Sequence, residues 1–157
     1  MAYTYILEQV DIFDELTSGQ LEQIGKICVE KSYNKDEVIF EENSPSREFY
    51  IIADGEVDIQ VDPDTIGDGT DSYQPQTIAR LRRGQCFGEL AIIDPGVRSA
   101  AAICSTESCR LLMIDRADFV KLLESDYQIG YIVMRNFAAD LSVRIRQTNL
   151  LVRESLM

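Results

Sequence analysis

The chain has 157 residues, 45% of them hydrophobic and 27% charged, which is enough for one packed domain and too few for two. Its 27 acidic residues outnumber the 15 basic ones, and the formal charge of −12 argues against a surface that binds nucleic acid or anionic lipid. No apolar run reaches the ~18 residues of a membrane span, and the start lacks the basic residues of a signal peptide. We therefore expect a soluble cytoplasmic protein.

The cysteines and the absence of histidine limit the chemistry available to this chain. None of the four cysteines forms a C-x-x-C pair, and no histidine is present to complete a zinc or haem site, so we expect no metal and four buried thiols. A redox role for Cys104 and Cys109, at the ends of a predicted hairpin, is the alternative. Without histidine the commonest general base is missing, and we predict that the protein is not an enzyme. The other two cysteines are Cys28 and Cys86.

Residues 1–28 predict helices. Residues 3–10 indicate a short helix or arm, and Thr17 with Gln20 has the spacing of a capping box at the start of the next helix. Leu21 and Ile24 then recur at helical spacing, so one face of this helix is expected to pack against the rest of the domain.

Residues 29–114 change to short apolar runs separated by turn residues. Many short strands at regular spacing are typical of a sandwich or barrel. We predict an α+β fold that is mainly β, a jelly-roll β-barrel (double-stranded β-helix) with N-terminal helices and a long C-terminal helix. The whole chain, 1–157, is expected to be a single domain.

The acidic segment 62–75 has the alternating Asp residues of a calcium loop. Counted from Asp62, however, position five is Ile66 and position twelve is Tyr73, where a bidentate Glu is required. We therefore predict a mobile acidic hairpin loop without a cation. A basic cluster follows and is expected to pair with this loop or to attract an anionic ligand; it consists of Arg80, Arg82 and Arg83.

Residues 115–157 predict two helices. Asp115 is expected to cap the first, whose apolar face contains Phe119. The second, from Tyr127 to about Leu156, would be roughly 30 residues or ~45 Å long. Its apolar stripe has spacings of three and four and is expected either to fold over the barrel or, as we favour, to pair with a second chain. The stripe consists of Tyr131, Met134, Phe137, Leu141, Ile145, Thr148 and Val152.

Residues 87–101 predict a strand end, a glycine turn, one short helix and a new strand. Gly88 lets the backbone approach a ligand closely, and Arg98 supplies a planar cation that can bind a phosphate. Glu89 would repel that anion, unless it accepts a hydrogen bond from a hydroxyl held beside it. A ribose phosphate satisfies both requirements.

This stretch resembles the phosphate-binding cassette of the cyclic nucleotide-binding domain family, which includes the bacterial catabolite activator proteins and the regulatory domains of kinases and channels. The resemblance implies that Gly88-Glu89 is the family's Gly-Glu pair, with Glu89 on the ribose 2′-hydroxyl and Arg98 on the cyclic phosphate. Leu90, Ala91 and Ser99 complete the implied phosphate site, Ala91 through its backbone N–H. Residues 42–57 are similar to the turn, strand and hairpin that precede this cassette in the family, although Asn43 and Ser46 replace glycines.

The late part of the C-terminal helix resembles the place where activator-type members contact the base, which makes Thr148 and Asn149 candidate base contacts. The resemblance implies a stand-alone regulatory module that binds cyclic AMP, or alternatively cyclic GMP, and couples it to the C-terminal helix. Homodimerisation through that helix and an unidentified effector protein are expected. Two alternatives remain: the same fold without a ligand as a protein interaction module, and a truncated relative of a transcription regulator, since only eight residues follow Asn149.

Overall fold

The N-terminal segment forms short helical elements. The computed structural model describes residues 3–63 and 74–157. Helix α1 (Thr4–Leu7) precedes a 3₁₀ turn at Asp11–Phe13 and helix α2 (Ser18–Lys26). The predicted capping box is confirmed, because the Gln20 N–H donates to Thr17 Oγ1 at 3.2 Å and the Thr17 N–H donates to Gln20 Oε1 at 2.9 Å.

The described strands form two antiparallel four-stranded sheets, which confirms the predicted jelly roll. One sheet has the order β1-β8-β3-β6 and the other the order β2-β7-β4-β5. The strands are β1 (Cys28–Asn34), β2 (Val38–Phe40), β3 (Glu48–Asp54), β4 (Val57–Val61), β5 (Gln76–Leu81), β6 (Cys86–Phe87), β7 (Ala101–Cys104) and β8 (Ser108–Asp115).

The first sheet separates two hydrophobic clusters because successive side chains of a strand point to opposite faces. On β3, Phe49 and Ile51 belong to the cluster shared with the helices, whereas Tyr50 and Ile52 belong to the cluster inside the barrel. The apolar run of β3 is buried on both faces for this reason. Its continuous hydrophobicity thus reflects its central position between helices and barrel.

Helices α3 (Arg116–Ser125) and α4 (Tyr127–Ser155) follow the barrel. Asp115 caps α3 as predicted, and Asp126 caps α4 by accepting from the N–H groups of Gln128 and Ile129. The predicted stripe of α4 is wrong at Tyr131, which is 67% exposed, whereas Phe137 is buried and Met134 and Leu141 pack against the same core. Ile129 and Val133, which the prediction did not include, are also buried.

The second half of α4 leaves the domain surface. Leu141 is half-buried, and every residue from 142 to 155 is exposed. We call residues 142–155 the projecting half. At 1.5 Å per residue it is about 20 Å long. Several of its large apolar side chains lie in solvent, among them Ile145, Leu151 and Val152.

The structure also bears on the expected burial of the cysteines and on the partners of the basic cluster. Cys104 and Cys109 are buried, but Cys28 and Cys86 are only half-buried. Among the described residues, Arg80 pairs with Asp58 and Arg82 with Glu56, and the Arg83 Cζ lies 5.8 Å from the centroid of the Tyr5 ring. Pairing of the cluster with the acidic loop stays a prediction. Most of the loop itself, residues 64–73, lies outside the described residues. Within the described ranges, no helix has the length and apolar content of a membrane span.

Candidate functional site

The predicted glycine turn is formed at Gly88, between β6 and a short 3₁₀ helix at Glu89–Ile92. Gly88 has φ = +75°, a left-handed conformation that favours glycine. Close packing is a second requirement for glycine, because a Cβ at this position would lie 2.6 Å from Arg98 Nη1 and 3.3 Å from the Glu48 carbonyl oxygen. The turn therefore gives the Arg98 guanidinium room to lie against the backbone.

Arg98 is held in the site by a turn that is distant in sequence. Its N–H donates to the Ser44 carbonyl, and its own carbonyl accepts from the Asn43 N–H, both at 2.8 Å. Asn43 adopts φ = +68°, which an asparagine tolerates better than most residues with a side chain. Residues 42–57, which also resemble the family, thus hold the backbone of Arg98 in place.

The Arg98 side chain is only 2% exposed and lacks a full set of partners. Its Cζ lies 4.1 Å from the centroid of the Phe40 ring, and Nη2 donates to the Glu48 carbonyl at 2.5 Å. The nearest carboxylate oxygen, Oε1 of Glu48, is 3.6 Å from Nη2, which is beyond good hydrogen-bond distance. Nε is buried and has no partner. Burial lowers the pKa of Arg98, and the charge of Glu48 opposes that shift.

Aromatic rings form the barrel side of this arginine site. Tyr50 and Phe87 stack with centroids 5.2 Å apart, and Phe40 lies 5.9 Å from each of them. Burial, followed by the charge of Glu48, raises the pKa of Tyr50. Because these rings exclude water, electrostatic interactions with the guanidinium are stronger than they would be at an open surface.

Glu89 is also buried, at 6% exposure, and it is paired with the C-terminal helix. Arg144 Nη1 donates to Glu89 Oε1 at 2.8 Å, and Arg144 Nη2 lies 3.0 Å from Asp140 Oδ2 one turn earlier on α4. Burial lowers the pKa of Arg144, but the charge and hydrogen bond of Glu89 and the charge of Asp140 more than offset this and leave it raised. A buried carboxylate of the cassette is thus neutralised by α4.

The remaining predicted cassette residues lie close by but differ in exposure. Ala91 is fully buried, and its N–H donates to the Gly88 carbonyl at 3.1 Å. Leu90 is about half exposed and Ser99 is exposed. The structure therefore brings Gly88, Glu89, Ala91 and Arg98 together at the base of the cassette, with Leu90 and Ser99 on its outer side.

The two predicted base contacts, Thr148 and Asn149, are exposed on the projecting half. Thr148 lies four residues after Arg144, about 40° away around the helix, and its hydroxyl donates to the Arg144 carbonyl at 2.9 Å. Asn149 lies about 140° from Arg144 and hence on another side of the helix. Their contact with a base stays a prediction.

Three residues of the site were not found by sequence reasoning, namely Phe40, Glu48 and Arg144. Glu48 immediately precedes the apolar run of β3, and Phe40 ends a short apolar run. Within a continuous apolar run, residue type gives only a weak signal of which side chains face the barrel interior. Arg144 is 55 positions from Glu89, and the sequence carries no local signal of that contact.

The arrangement can hold an anion beside a hydroxyl group. Arg98 offers a buried cation with an unused N–H, and Glu89 offers a buried carboxylate acceptor. A cleft of about 270 Å³ lies on the α4 side, lined in part by Asp11, Cys86 and Arg144. Within the described part of the chain, no group of three or more potential metal-ligating side chains is close enough to hold an ion.

Comparison with known proteins gives a family match. The family model for the cyclic nucleotide-binding domain matches residues 30–126, more than half of the chain. Cyclic GMP-dependent protein kinase 2 of Mus musculus is 30% identical over 139 residues, which cover 85% of this chain and 18% of the kinase. The regulatory subunit of cyclic AMP-dependent protein kinase from Mycosarcoma maydis is 26% identical over 125 residues, 77% of this chain and 22% of that protein. The chain thus spans less than a quarter of the length of these two relatives.

A solved structure of similar fold is a cyclic nucleotide-binding domain from Methylobacillus flagellatus KT. Its TM-score is 0.78 at 24% identity, and the alignment covers 93% of this chain and 80% of the other. This likeness supports the jelly-roll architecture with its flanking helices.

Proposed function

Because the chain belongs to the cyclic nucleotide-binding domain family, we propose that it binds a cyclic nucleotide through its cassette and acts as a regulatory module. The observation that carries the proposal is the buried Arg98 guanidinium, whose Nε has no partner. Leaving a buried donor unpaired costs about 1–3 kcal/mol, more for a charged group. A phosphate that accepts from Nε and Nη2 would remove this cost.

Glu89 supplies the second half of the proposed site. Its buried carboxylate is next to Gly88, against which Arg98 packs, so an acceptor and a cation flank the same turn. A cyclic nucleotide carries its ribose 2′-hydroxyl close to its phosphate, and these two groups match Glu89 and Arg98. Gly88, Leu90, Ala91 and Ser99 would surround the phosphate, as the family resemblance implies.

The ligand we favour is cyclic AMP, with cyclic GMP as the alternative. Of the two relatives, one is named for its dependence on cyclic GMP and the other for dependence on cyclic AMP. The proposed base contacts are Thr148 and Asn149, which can reach a base only if the projecting half lies closer to the cassette. Base selectivity is therefore expected to depend on α4.

Burial of Arg98 implies that binding is coupled to a conformational change. A phosphate cannot reach a side chain that is 2% exposed unless the surroundings of that side chain open. A ligand shifts such an equilibrium by its differential affinity for the two conformations. We propose that α4, which contacts Glu89 through Arg144, is the element whose position responds. The role is regulatory rather than catalytic.

We propose that a protein partner binds to the projecting half. Ile145 and Val152 are 61% and 53% exposed and lie seven residues apart, a spacing that suits packing against a parallel or antiparallel twin. We propose a homodimer through this helix in the cytoplasm, with an effector protein whose identity is open. Sedimentation equilibrium over a concentration series tests the dimer, and a monomer at every concentration would exclude it.

A second candidate function, a ligand-free interaction module, is favoured by one observation. Arg98 is already held by the carbonyl of Glu48 and faces its carboxylate, so groups of the protein occupy part of the proposed phosphate position. In this alternative Glu48 would be the permanent partner of Arg98.

Calorimetric titration with cyclic AMP, cyclic GMP and linear 5′-AMP separates the two candidates. The proposal expects saturable binding of at least one cyclic nucleotide and much weaker binding of 5′-AMP, whose additional charge and open phosphate do not fit the turn. No heat of binding with either cyclic nucleotide, for protein shown to be folded by circular dichroism, would favour the interaction module.

A further inference from the structure

Two buried thiols meet at one end of the barrel. Cys104 ends β7 and is fully buried, and Cys109, the second residue of β8, is 2% exposed. The Cys104 thiol donates to Cys109 Sγ at 2.6 Å, and both cysteines are free. Among the described residues, which include all four cysteines, this is the one pair of thiols in hydrogen-bond contact. The proposed nucleotide site uses neither of them.

The two cysteines lie on different sheets and not, as the sequence suggested, at the ends of a hairpin. Cys104 is opposite Val57 of β4 in one sheet, and Cys109 is opposite Tyr33 of β1 in the other. The chain crosses from the first of these sheets to the second through the turn at residues 105–108. A bond between the two sulfur atoms would therefore link the two sheets of the barrel covalently.

The surrounding backbone fixes the thiols and the turn between them. Cys109 Sγ donates to the Glu56 carbonyl at 3.0 Å, and the Glu56 N–H donates to Thr106 Oγ1 at 3.1 Å. Gly55, with φ = +87°, packs so closely that a Cβ there would lie 2.5 Å from the Ser108 carbonyl oxygen. The two sulfur atoms are thus adjacent because the whole end of the barrel is close-packed, and no rearrangement of the strands is needed to join them.

We propose that Cys104 and Cys109 are a redox-active pair that forms a disulfide when the protein reacts with hydrogen peroxide and opens again with a dithiol. In the first step one thiolate attacks the peroxide, becomes a sulfenic acid and releases hydroxide. The second thiolate then attacks the sulfenic sulfur and displaces a second hydroxide. The two hydroxides take up the two thiol protons, so two thiols and one peroxide give one disulfide and two water molecules. This inference does not depend on nucleotide binding.

Burial protects the pair from casual oxidation. It raises the pKa of the Cys104 thiol, and the hydrogen bond with Cys109 adds to this shift, so little of the reactive thiolate is present near neutral pH. Peroxide can reach the sulfur atoms only when the turn opens locally, and Glu107 and Ser108 of that turn are exposed. The reaction is therefore expected to be slow, and the same burial should shield the finished disulfide from reductants.

The experiment is mass-spectrometric peptide mapping of the full chain, which is first reduced, then treated with hydrogen peroxide under native conditions and alkylated in denaturant. We expect a disulfide between Cys104 and Cys109, with a loss of two hydrogen atoms and two fewer alkylated thiols. Dithiothreitol should restore all four thiols. Cys28 and Cys86 are the internal control, because both are easier to reach but neither is in hydrogen-bond contact with another thiol.

A second measurement tests whether the disulfide fits the native barrel. In a variant with Cys28→Ser and Cys86→Ser, in which the only remaining thiols are those of the pair, peroxide should raise the thermal unfolding midpoint by up to about 9 °C, because the crosslink restricts the unfolded chain. Dithiothreitol should reverse this rise. Adding Cys109→Ser to the same variant should abolish the reversible part of the shift.

Two outcomes would overturn the inference. One is folded, peroxide-treated protein in which Cys104 and Cys109 stay unlinked, whether or not Cys28 and Cys86 have been oxidised. The other is a linked pair that fails to raise the unfolding midpoint, since the native barrel would then not accommodate the bond.

Discussion

Replacing Arg98 by Met tests whether the cassette arginine serves the ligand rather than the fold. Met is long, unbranched and apolar, so it can fill the space over the Phe40 ring while removing a charge that is almost completely buried. Ala would be less informative, because it would also leave a cavity beside the aromatic rings.

The expected change in stability is small because gains and losses offset each other. The variant loses a cation–π contact at 4.1 Å, worth about 0.5–2 kcal/mol, and the hydrogen bond to the Glu48 carbonyl, worth about 1 kcal/mol. It is relieved of a buried Nε without a partner, a cost of about 1–3 kcal/mol. We expect the free energy of unfolding to change by less than about 1.5 kcal/mol in either direction.

The expected change in affinity is much larger. Removing one partner of a buried charge pair costs about 2–5 kcal/mol, which corresponds to a loss of roughly 30-fold to several-thousand-fold in cyclic nucleotide affinity. Urea unfolding measures the first quantity and calorimetry the second. Arg47→Met is the control, because Arg47 is exposed and undergoes the same change of charge. A folded Arg98→Met protein that binds within about threefold of wild type would refute the assignment of Arg98 to the phosphate.

Three further predictions concern the turn, the ribose and the helix. Gly88→Ala should destabilise the protein by about 1–3 kcal/mol and weaken binding more than tenfold, because φ is +75° and the new Cβ would meet Arg98. The control is Gly19→Ala, which lies in a helix with open space around it and should be neutral or stabilising by up to about 1 kcal/mol in the same unfolding assay. Glu89→Gln should weaken cyclic AMP binding but leave that of 2′-deoxy cyclic AMP nearly unchanged; equal preference for the ribonucleotide in variant and wild type, measured by titration, would exclude Glu89 from the ribose. Cyclic AMP should protect amides 144–153 from hydrogen exchange, and an identical exchange profile at saturating ligand would show that α4 does not respond.

The local parts of this fold could be read from neighbouring residues. Thr17 and Asp115 begin helices because their side chains accept hydrogen bonds from N–H groups two or three residues further on. Contacts between residues so close along the chain can be predicted from the local sequence. The turn at Gly88 and the arginine ten positions later are also a short-range pattern. The strands followed from apolar alternation, since each strand has a side facing the barrel interior.

Packing against the rest of the domain decided which face of the C-terminal helix is buried. Spacings of three and four fit more than one face of a long helix, and the sequence suggested a stripe that includes Tyr131. The buried side includes Phe137 from that stripe but has Ile129 and Val133 in place of Tyr131, in the cluster that also contains Phe119. Sequence periodicity establishes that a face exists, but the shape of the neighbouring helix and sheet selects which residues occupy it.

The sequence alone therefore determined the cassette motif, the helix caps and the strand pattern, because each depends on residues that are close along the chain. Only the tertiary structure decided what surrounds the two charged residues of the site. Glu48 lies 50 positions from Arg98, and Arg144 lies 55 positions from Glu89, so both contacts depend on where the barrel and α4 place side chains in space. The physical reason is that a buried charge takes its partner from whichever element packs beside it, and that choice is made by the packing of the whole domain.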